Sequence, residues 1–286
     1  MYRILFFCLL CSSLLCAAAP QTRVLHYPQP ESDHDERSRY PLLMLRLALD
    51  KAQLPYELRP STLRMQQNRA LAQLQQGQID VFWSMTSIER ERELLPIRIP
   101  LDRGLYGCRL LLIRANEQAR FSAIKERLQL AQMRAVQGHD WPDTEILQSN
   151  GLQVMSAARY EMLFEMLRKS VVDYFPRAAI EIQEEARRWE QQGLRIEQEL
   201  ILEYPTALYF FVNKKDSALA QALEQGLQSA LKDGSFERLY MQFHGDMIRQ
   251  LRLSERRKIR LNNPLLPPLT PLPDKAPGNK DLWLQY

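Results

Sequence analysis

From residue 22 onward the apolar positions of this chain switch repeatedly between short runs of strand character and stripes recurring every three or four residues, the pattern of strands alternating with amphipathic helices. Residues 22–27 predict a strand closed by Pro28, and a polar loop follows through Arg39. Leu42, Leu45, Leu49 and Ala52 then share one face of a helix over 41–52, with Pro41 in the first turn, where its missing N–H costs nothing. A strand near 56–59, a helix carrying Ala70, Leu71 and Leu74 and stopped by Gly77, and a strand over 79–83 complete a β-α-β-α-β order. That order predicts the first half of an α/β domain with a largely parallel sheet.

After a second apolar run over 107–114 the composition turns polar and a new unit begins. It reads as a strand over 133–136, a short helix over 142–148 ended by Gly151, a helix with Met162, Leu163, Met166 and Leu167, a strand over 171–175, a helix over 178–192 and the segment 194–202. The apolar strand over 207–212 returns to the first unit, so the second is inserted in it. Two helices close the body. Leu219, Leu223, Leu227 and Leu231 stripe one; after the stop and fresh cap at Asp233-Gly234-Ser235, Phe236, Leu239, Tyr240, Phe243 and Met247 stripe the next. These stripes read as core faces. The implied division is a first lobe over 20–113 and 205–253, a second over 114–204, and a tail over 254–286. The tail opens on Arg256, Arg257, Lys258 and Arg260 and holds six of the seventeen prolines, so regular helix or central strand is excluded there. It either lies extended on the surface, docked by Leu265, Leu266, Leu269 and Trp283, or is disordered.

The first nineteen residues, MYRILFFCLLCSSLLCAAA, place one positive charge before an apolar run over 4–16 and then small residues. This is a secretory signal peptide cleaved near Ala17, Ala18 or Ala19, its apolar run short of the roughly 18–20 residues that span a bilayer. The mature protein is expected in the periplasm. Leu15 stands where lipid attachment at Cys16 calls for a small residue, so no lipid anchor is expected. Cys8, Cys11 and Cys16 leave with the signal, and Cys108 alone cannot form an intramolecular disulfide. Loss of Arg3 lowers the formal charge from +4 to +3, too little and too dispersed to argue for nucleic acid. Ten glycines supply no phosphate-cradling loop, four scattered histidines no metal spacing, and there is no G-x-S-x-G elbow. No cofactor and no metal are expected.

The segment Gly77-Gln-Ile-Asp80-Val-Phe-Trp-Ser-Met-Thr86-Ser87-Ile88-Glu-Arg-Glu-Arg92 resembles the family 3 solute-binding proteins, the polar amino-acid-binding branch of the type II periplasmic binding proteins. In that family a G-x-x-D strand leads into a Ser/Thr-rich turn of the form S-I-T-x-x-R. Asp233-Gly234-Ser235-Phe236 is similar to the family's turn before its last helix, and the likeness covers most of the mature chain. The resemblance implies an α/β protein with a two-lobed type II periplasmic binding protein fold, the second lobe inserted in the first, with two hinge crossings near 107–114 and 204–212, closing on a small ligand. It also implies that an arginine of the turn grips a ligand carboxylate with its planar fork. Arg92 is the expected arginine, with Ser87 and Thr86 beside it.

Family members carry an aspartate for the ligand's ammonium after the second lobe's strand; here that place falls at Ala178, next to Arg177. Either Arg177 faces the cleft, making the ligand an acid or dianion, or it pairs with Glu181 one turn on. Tyr27, Trp83, Trp141 and Tyr174 stand near strand ends where ligands sit in open α/β sheets. The reading is a monomeric, non-enzymatic binding protein for a small carboxylate-bearing or otherwise anionic ligand, working with an ABC-type permease or a membrane sensor. Two alternatives share its fold: an accessory sensor with no transport role, and a dehydratase-like periplasmic enzyme using Glu161, Asp173 or Glu181.

Overall fold

The computed structural model describes residues 22–284 apart from residue 34; the signal peptide expected over 1–19, its cleavage site and Cys16 lie outside the described residues. β1 (Arg23–Gln29) and β2 (Tyr56–Arg64) pair in parallel with Leu25 opposite Leu58, joined by α1 (Arg39–Lys51), which buries Met44, Leu45, Ala48 and Leu49. α2 (Gln67–Gln75) buries Ala70 and Leu74 and leads to β3 (Val81–Met85). This strand starts two residues later than its apolar run, because Asp80 is tied to β1 instead. Its N–H donates to the His26 carbonyl at 2.8 Å and its carboxylate accepts from the His26 N–H at 2.7 Å. α3 (Ile88–Glu93) and β4 (Leu95–Ile97) follow.

The chain then crosses on β5 (Cys108–Arg114) to the second lobe, built from α4 (Gln118–Ser122), α5 (Arg127–Leu130), β6 (Arg134–Gly138), α6 (Pro142–Ser149), β7 (Gln153–Ala157), α7 (Tyr160–Arg168), β8 (Phe175–Ala178), α8 (Ala179–Trp189), β9 (Leu194–Ile196) and β10 (Leu200–Glu203). It returns on β11 (Leu208–Val212), and α9 (Ser217–Lys232), α10 (Ser235–Leu251) and β12 (Arg257–Arg260) complete it.

The sheets are less parallel than expected. β1–β2, β6–β7 and β10–β12 run parallel, whereas β11 lies antiparallel between β3 and β4, and β5 pairs antiparallel with β8, β9 and β10. The crossing and returning strands enter each sheet from the opposite end, which sets their direction. The strand expected over 171–175 forms four residues later, as β8. Asp173 spends its carboxylate on the Arg134 N–H at 2.7 Å, and only from Phe175 onward does the backbone align with β5, Phe175 opposite Leu112. The basic cluster expected to open the tail is also strand: β12 extends the second lobe's sheet beside β10, with Lys258 3.0 Å from Glu203.

Alternate residues of the central strands feed different cores. Leu208, Phe210 and Val212 of β11 join Leu45, Leu49, Leu223 and Leu227 on one side, while Tyr209 and Phe211 join Leu74, Phe82 and Trp283 on the other. Both faces are covered, which is why all five residues of β11 are apolar and buried. The two crossing segments touch: Cys108 is in register with Glu203, and a Cβ at Gly107 would lie 2.1 Å from the Tyr204 carbonyl oxygen, so only glycine lets the backbones approach there.

Candidate functional site

A cavity of about 130 Å³ lies between the lobes. The first lobe contributes the loop after β1, Gln67 at the start of α2, and Phe82, Trp83 and Ser84 of β3. The second contributes Tyr160 of α7 and Ile180, Glu181, Glu184 and Glu185 of α8, and Tyr106 lies at the crossing. The lobes are in contact beside it, the Asn68 N–H donating to the Asp140 carboxylate at 3.0 Å.

Ser87 caps α3, its Oγ accepting from the Arg90 N–H at 3.2 Å. That places Arg90 three residues into the turn with its side chain folded inward and buried. Its guanidinium donates to the Met85 carbonyl at 2.9 Å, to Gln67 Oε1 at 3.0 Å, to Ser84 Oγ, and across the lobes to the Asp140 carbonyl at 3.4 Å. Every one of these acceptors is neutral. Among the described residues no carboxylate lies within ion-pair distance of Arg90, and burial lowers its pKa to about 10. Arg90 is thus a buried cation held by neutral acceptors, beside two residues that line the cavity, and a nearby anion would offset its desolvation.

The second lobe's wall is ionic and internally paired. Arg177 bonds Glu185 through both fork positions, at 2.7 and 2.6 Å, and meets Glu181 at 2.9 Å. Arg109 meets Asp143 at 2.7 Å and lies over the Tyr106 ring at 4.5 Å, while Tyr106 Oη donates to Glu181 at 3.3 Å. Burial raises the Glu181 pKa, with Arg177 pulling it back down.

The sequence-predicted residues fall into separate places. Trp83 lines the cavity, and so does its neighbour Phe82, which also packs in the core with Leu74 and Phe211. Tyr27 stands behind Trp83 with ring centroids 6.0 Å apart. Trp141 stacks over Arg177 at 4.7 Å and covers Gly138 so closely that a Cβ there would lie 2.5 Å from its ring. Arg177 is buried but satisfied by Glu181 and Glu185, so it brings no free positive charge to the cavity; of the two alternatives, pairing holds. Tyr174 packs on Phe121 in the second lobe's other core. Thr86 Oγ1 donates to Glu91 at 2.6 Å and Ser87 acts as a cap, both outside the cavity lining. Arg92 is the plainest departure: its side chain is 68% exposed and lies beside Glu89 and Glu93 on the outer face of α3. A helix of this length presents opposite faces two residues apart, so if Arg90 points inward Arg92 points out.

Sequence reasoning missed Arg90, Arg109, Glu185 and Arg37. The first had a signal: with Ser87 in the place of the family turn's threonine, Ser87-Ile-Glu-Arg90 has its Thr-x-x-Arg spacing, whereas Arg92 follows when Ser87-Ile88 are set on the first two residues of the turn. Arg109 also had one, as a lone charge in the apolar run Cys108-Arg-Leu-Leu-Leu-Ile113. Arg37, in the polar loop before α1, had none.

The profile of bacterial extracellular solute-binding proteins, family 3, matches residues 44–246. Among solved structures, the chain is similar to an ancestral arginine-binding protein bound to arginine, at 16% identity and a TM-score of 0.59 over 77% of this chain and 97% of that one. It is similar to the arginine-, lysine-, histidine-binding protein ArtJ from Geobacillus stearothermophilus, at 15% identity and a TM-score of 0.59 over 82% of this chain and all of that one. A histidine kinase sensor domain with similarity to periplasmic binding proteins matches at 15% identity and a TM-score of 0.59, covering 79% of this chain and 96% of that one. No curated protein sequence matches the chain. At these identities the structural likeness speaks for the two-lobed type II fold, and with the match over residues 44–246 it leads to one conclusion: the chain belongs to the bacterial extracellular solute-binding proteins, family 3.

Proposed function

We propose that this protein, exported to the periplasm, captures a small carboxylate-bearing ligand between its lobes, with Arg90 as the carboxylate anchor. The observation that carries the reading is the buried Arg90 guanidinium with only neutral partners, Ser84 and Gln67 joining it to the cavity wall. A ligand carboxylate would supply the missing countercharge, a charge-assisted contact stronger than the neutral bonds now holding Arg90. Because Arg177 is neutralised, a second anionic group on the ligand has no waiting cation. Glu181 and Glu185 line the opposite wall and share Arg177, and that surplus of one carboxylate suits an ammonium group, which favours an amino-acid-like zwitterion over a dianion.

The protein binds and performs no chemistry of its own. Of the three carboxylates considered for catalysis, Asp173 is held by Arg120 at 2.9 Å and by the Arg134 N–H, Glu161 does not line the cavity, and Glu181 is fixed by Arg177 and Tyr106. Delivery to an ABC-type permease by a monomer is the first reading of its role. Accessory sensing is the second, supported by the likeness to a histidine kinase sensor domain.

The test is a thermal-shift screen of neutral amino acids, small carboxylic acids and their amides. Carboxylates are expected to raise the melting temperature and the matching amides to fail. Arg90→Lys, which keeps the charge and loses the fork, is expected to bind at least about tenfold more weakly. An amide binding as well as its acid, or full affinity in Arg90→Lys, refutes the anchor.

A further inference from the structure

The loop between β1 and α1 sends one side chain across the cleft. Arg37 arises in a short 3-10 turn, Glu36–Ser38, of the first lobe, yet its guanidinium lies over two rings of the second, 4.5 Å from the Tyr160 centroid and 5.3 Å from that of Trp141. It does so without losing its countercharge. Nε donates to Asp35 Oδ1 at 2.7 Å, and Nη2 donates to Asp35 Oδ2 at 2.7 Å and to Glu31 Oε1 at 2.9 Å. The Asp35 side chain is 4% exposed and that of Arg37 15%.

Two rings, a bidentate carboxylate and a second carboxylate make a box for a planar cation, with the stacking and the fork geometry a guanidinium favours over an ammonium. The chain brings its own cation to it. Around the box the cavity retains the apolar faces of Phe82, Trp83, Ile180 and Leu208, and the hydroxyl of Ser84. A ligand anchored at Arg90 would therefore meet Arg37 wherever its side chain carried positive charge, and would be repelled and sterically blocked.

We propose that Arg37 is a built-in occupant of a guanidinium box between the lobes, and that by filling it this chain rejects ligands with cationic side chains and selects those ending in small uncharged groups. The inference rests on the cavity being the ligand site; its central claim, that the box is a guanidinium site filled from within, is tested without any ligand.

Arg37→Ala empties the box. The variant is expected to melt below the wild type and to be restabilised saturably by millimolar methylguanidinium, which leaves the wild type unmoved. Free arginine is expected to stabilise the variant by about 3–6 °C at ten times its dissociation constant and to leave the wild type unchanged. Equal responses of the two proteins to methylguanidinium overturn the occupant role, and arginine binding to the wild type overturns the selection. If Arg37→Ala does not fold, the wild type decides. The Arg37 Nε–H, shielded and donating to Asp35, is expected to exchange with solvent at least about 100-fold more slowly than exposed arginines such as Arg92. Exchange at the exposed rate refutes the box. Failure of the Arg90 amide test with success of methylguanidinium rescue would remove the carboxylate anchor and leave the box standing.

Discussion

Arg177 is held by Glu185 on two atoms and by Glu181 on a third contact, and all three side chains are buried. Removing Glu185 leaves Arg177 with Glu181 alone, so Glu185→Gln is expected to cost about 1.5–3 kcal/mol in urea unfolding. Replacing the pair together, Arg177→Met with Glu185→Leu, is expected to cost clearly less than the two single changes added; simple additivity would show that the pair is not coupled. Asp102 makes a different prediction. Its buried carboxylate accepts from the N–H groups of Tyr106 and Leu208, and burial raises its pKa from 3.8 to about 6, the backbone bonds opposing. The folded state thus binds this proton more readily than the unfolded chain. Stabilisation from Asp102 is complete below pH 3.8 and is lost as pH rises through about 6, a change of up to about 3 kcal/mol. Asp35 and Asp173 act in the opposite sense. Burial is outweighed at both by arginine and backbone N–H partners, so their stabilisation is present above pH 3.8 and fades as pH falls. Asp102→Asn is expected to flatten the loss between pH 4 and 6 while leaving the acid limb in place.

At the scale of elements, β11 is the strand on which the first lobe's sheet depends, since it pairs with both β3 and β4 and packs on both faces. Phe210→Ala is expected to cost about 3–5 kcal/mol, read from denaturant midpoints; a cost below 1 kcal/mol would mean that β11 is not central. The periodic elements were legible beforehand. The stripes of α1, α9 and α10 and the apolar run of β11 all follow from one or two covered faces, and the order of elements shows the insertion. Strand direction was not legible, because periodicity is the same for parallel and antiparallel pairing. β8 was misplaced because Val171 to Phe175 has strand composition, yet Asp173 captures a backbone donor and delays the pairing. The site was legible only in part. Trp83 could be placed because it ends the apolar run over 79–83, although β3 runs two residues past it, but Arg90 and Arg92 differ by the phase of a six-residue helix, and Arg37 owes its role to rings more than a hundred residues away.

Across the whole molecule the stretch after β12 belongs to both lobes. Beside the second lobe, Asn262 exchanges bonds with Asn150, at 2.9 and 2.7 Å; three residues on, the Leu265 carbonyl accepts from the Ile88 N–H of the first lobe at 2.9 Å. The chain then continues to Trp283, which packs with Phe82 and Phe211, and to Leu284, bonded to the Arg103 carbonyl. Trp283→Ala is expected to lower the melting temperature and to make residues past 262 the first site of limited proteolysis; unchanged protease resistance would show that the ring does not dock them.

The bond to Ile88 reaches further than anchoring. The second lobe's grip on Asn262 and the first lobe's grip on Leu265 are joined by three residues folded into a turn at 264–265, a tether that reaches no more than about 10 Å even when fully extended. Ile88 is the first residue of the helix that carries Arg90. Any swing of the second lobe beyond that reach must either break the tether or drag the start of α3 with it, so a molecule that opens would turn its own anchor arginine as it does so. Release and loss of grip would then be a single mechanical event, transmitted through the back of the protein rather than across the cavity.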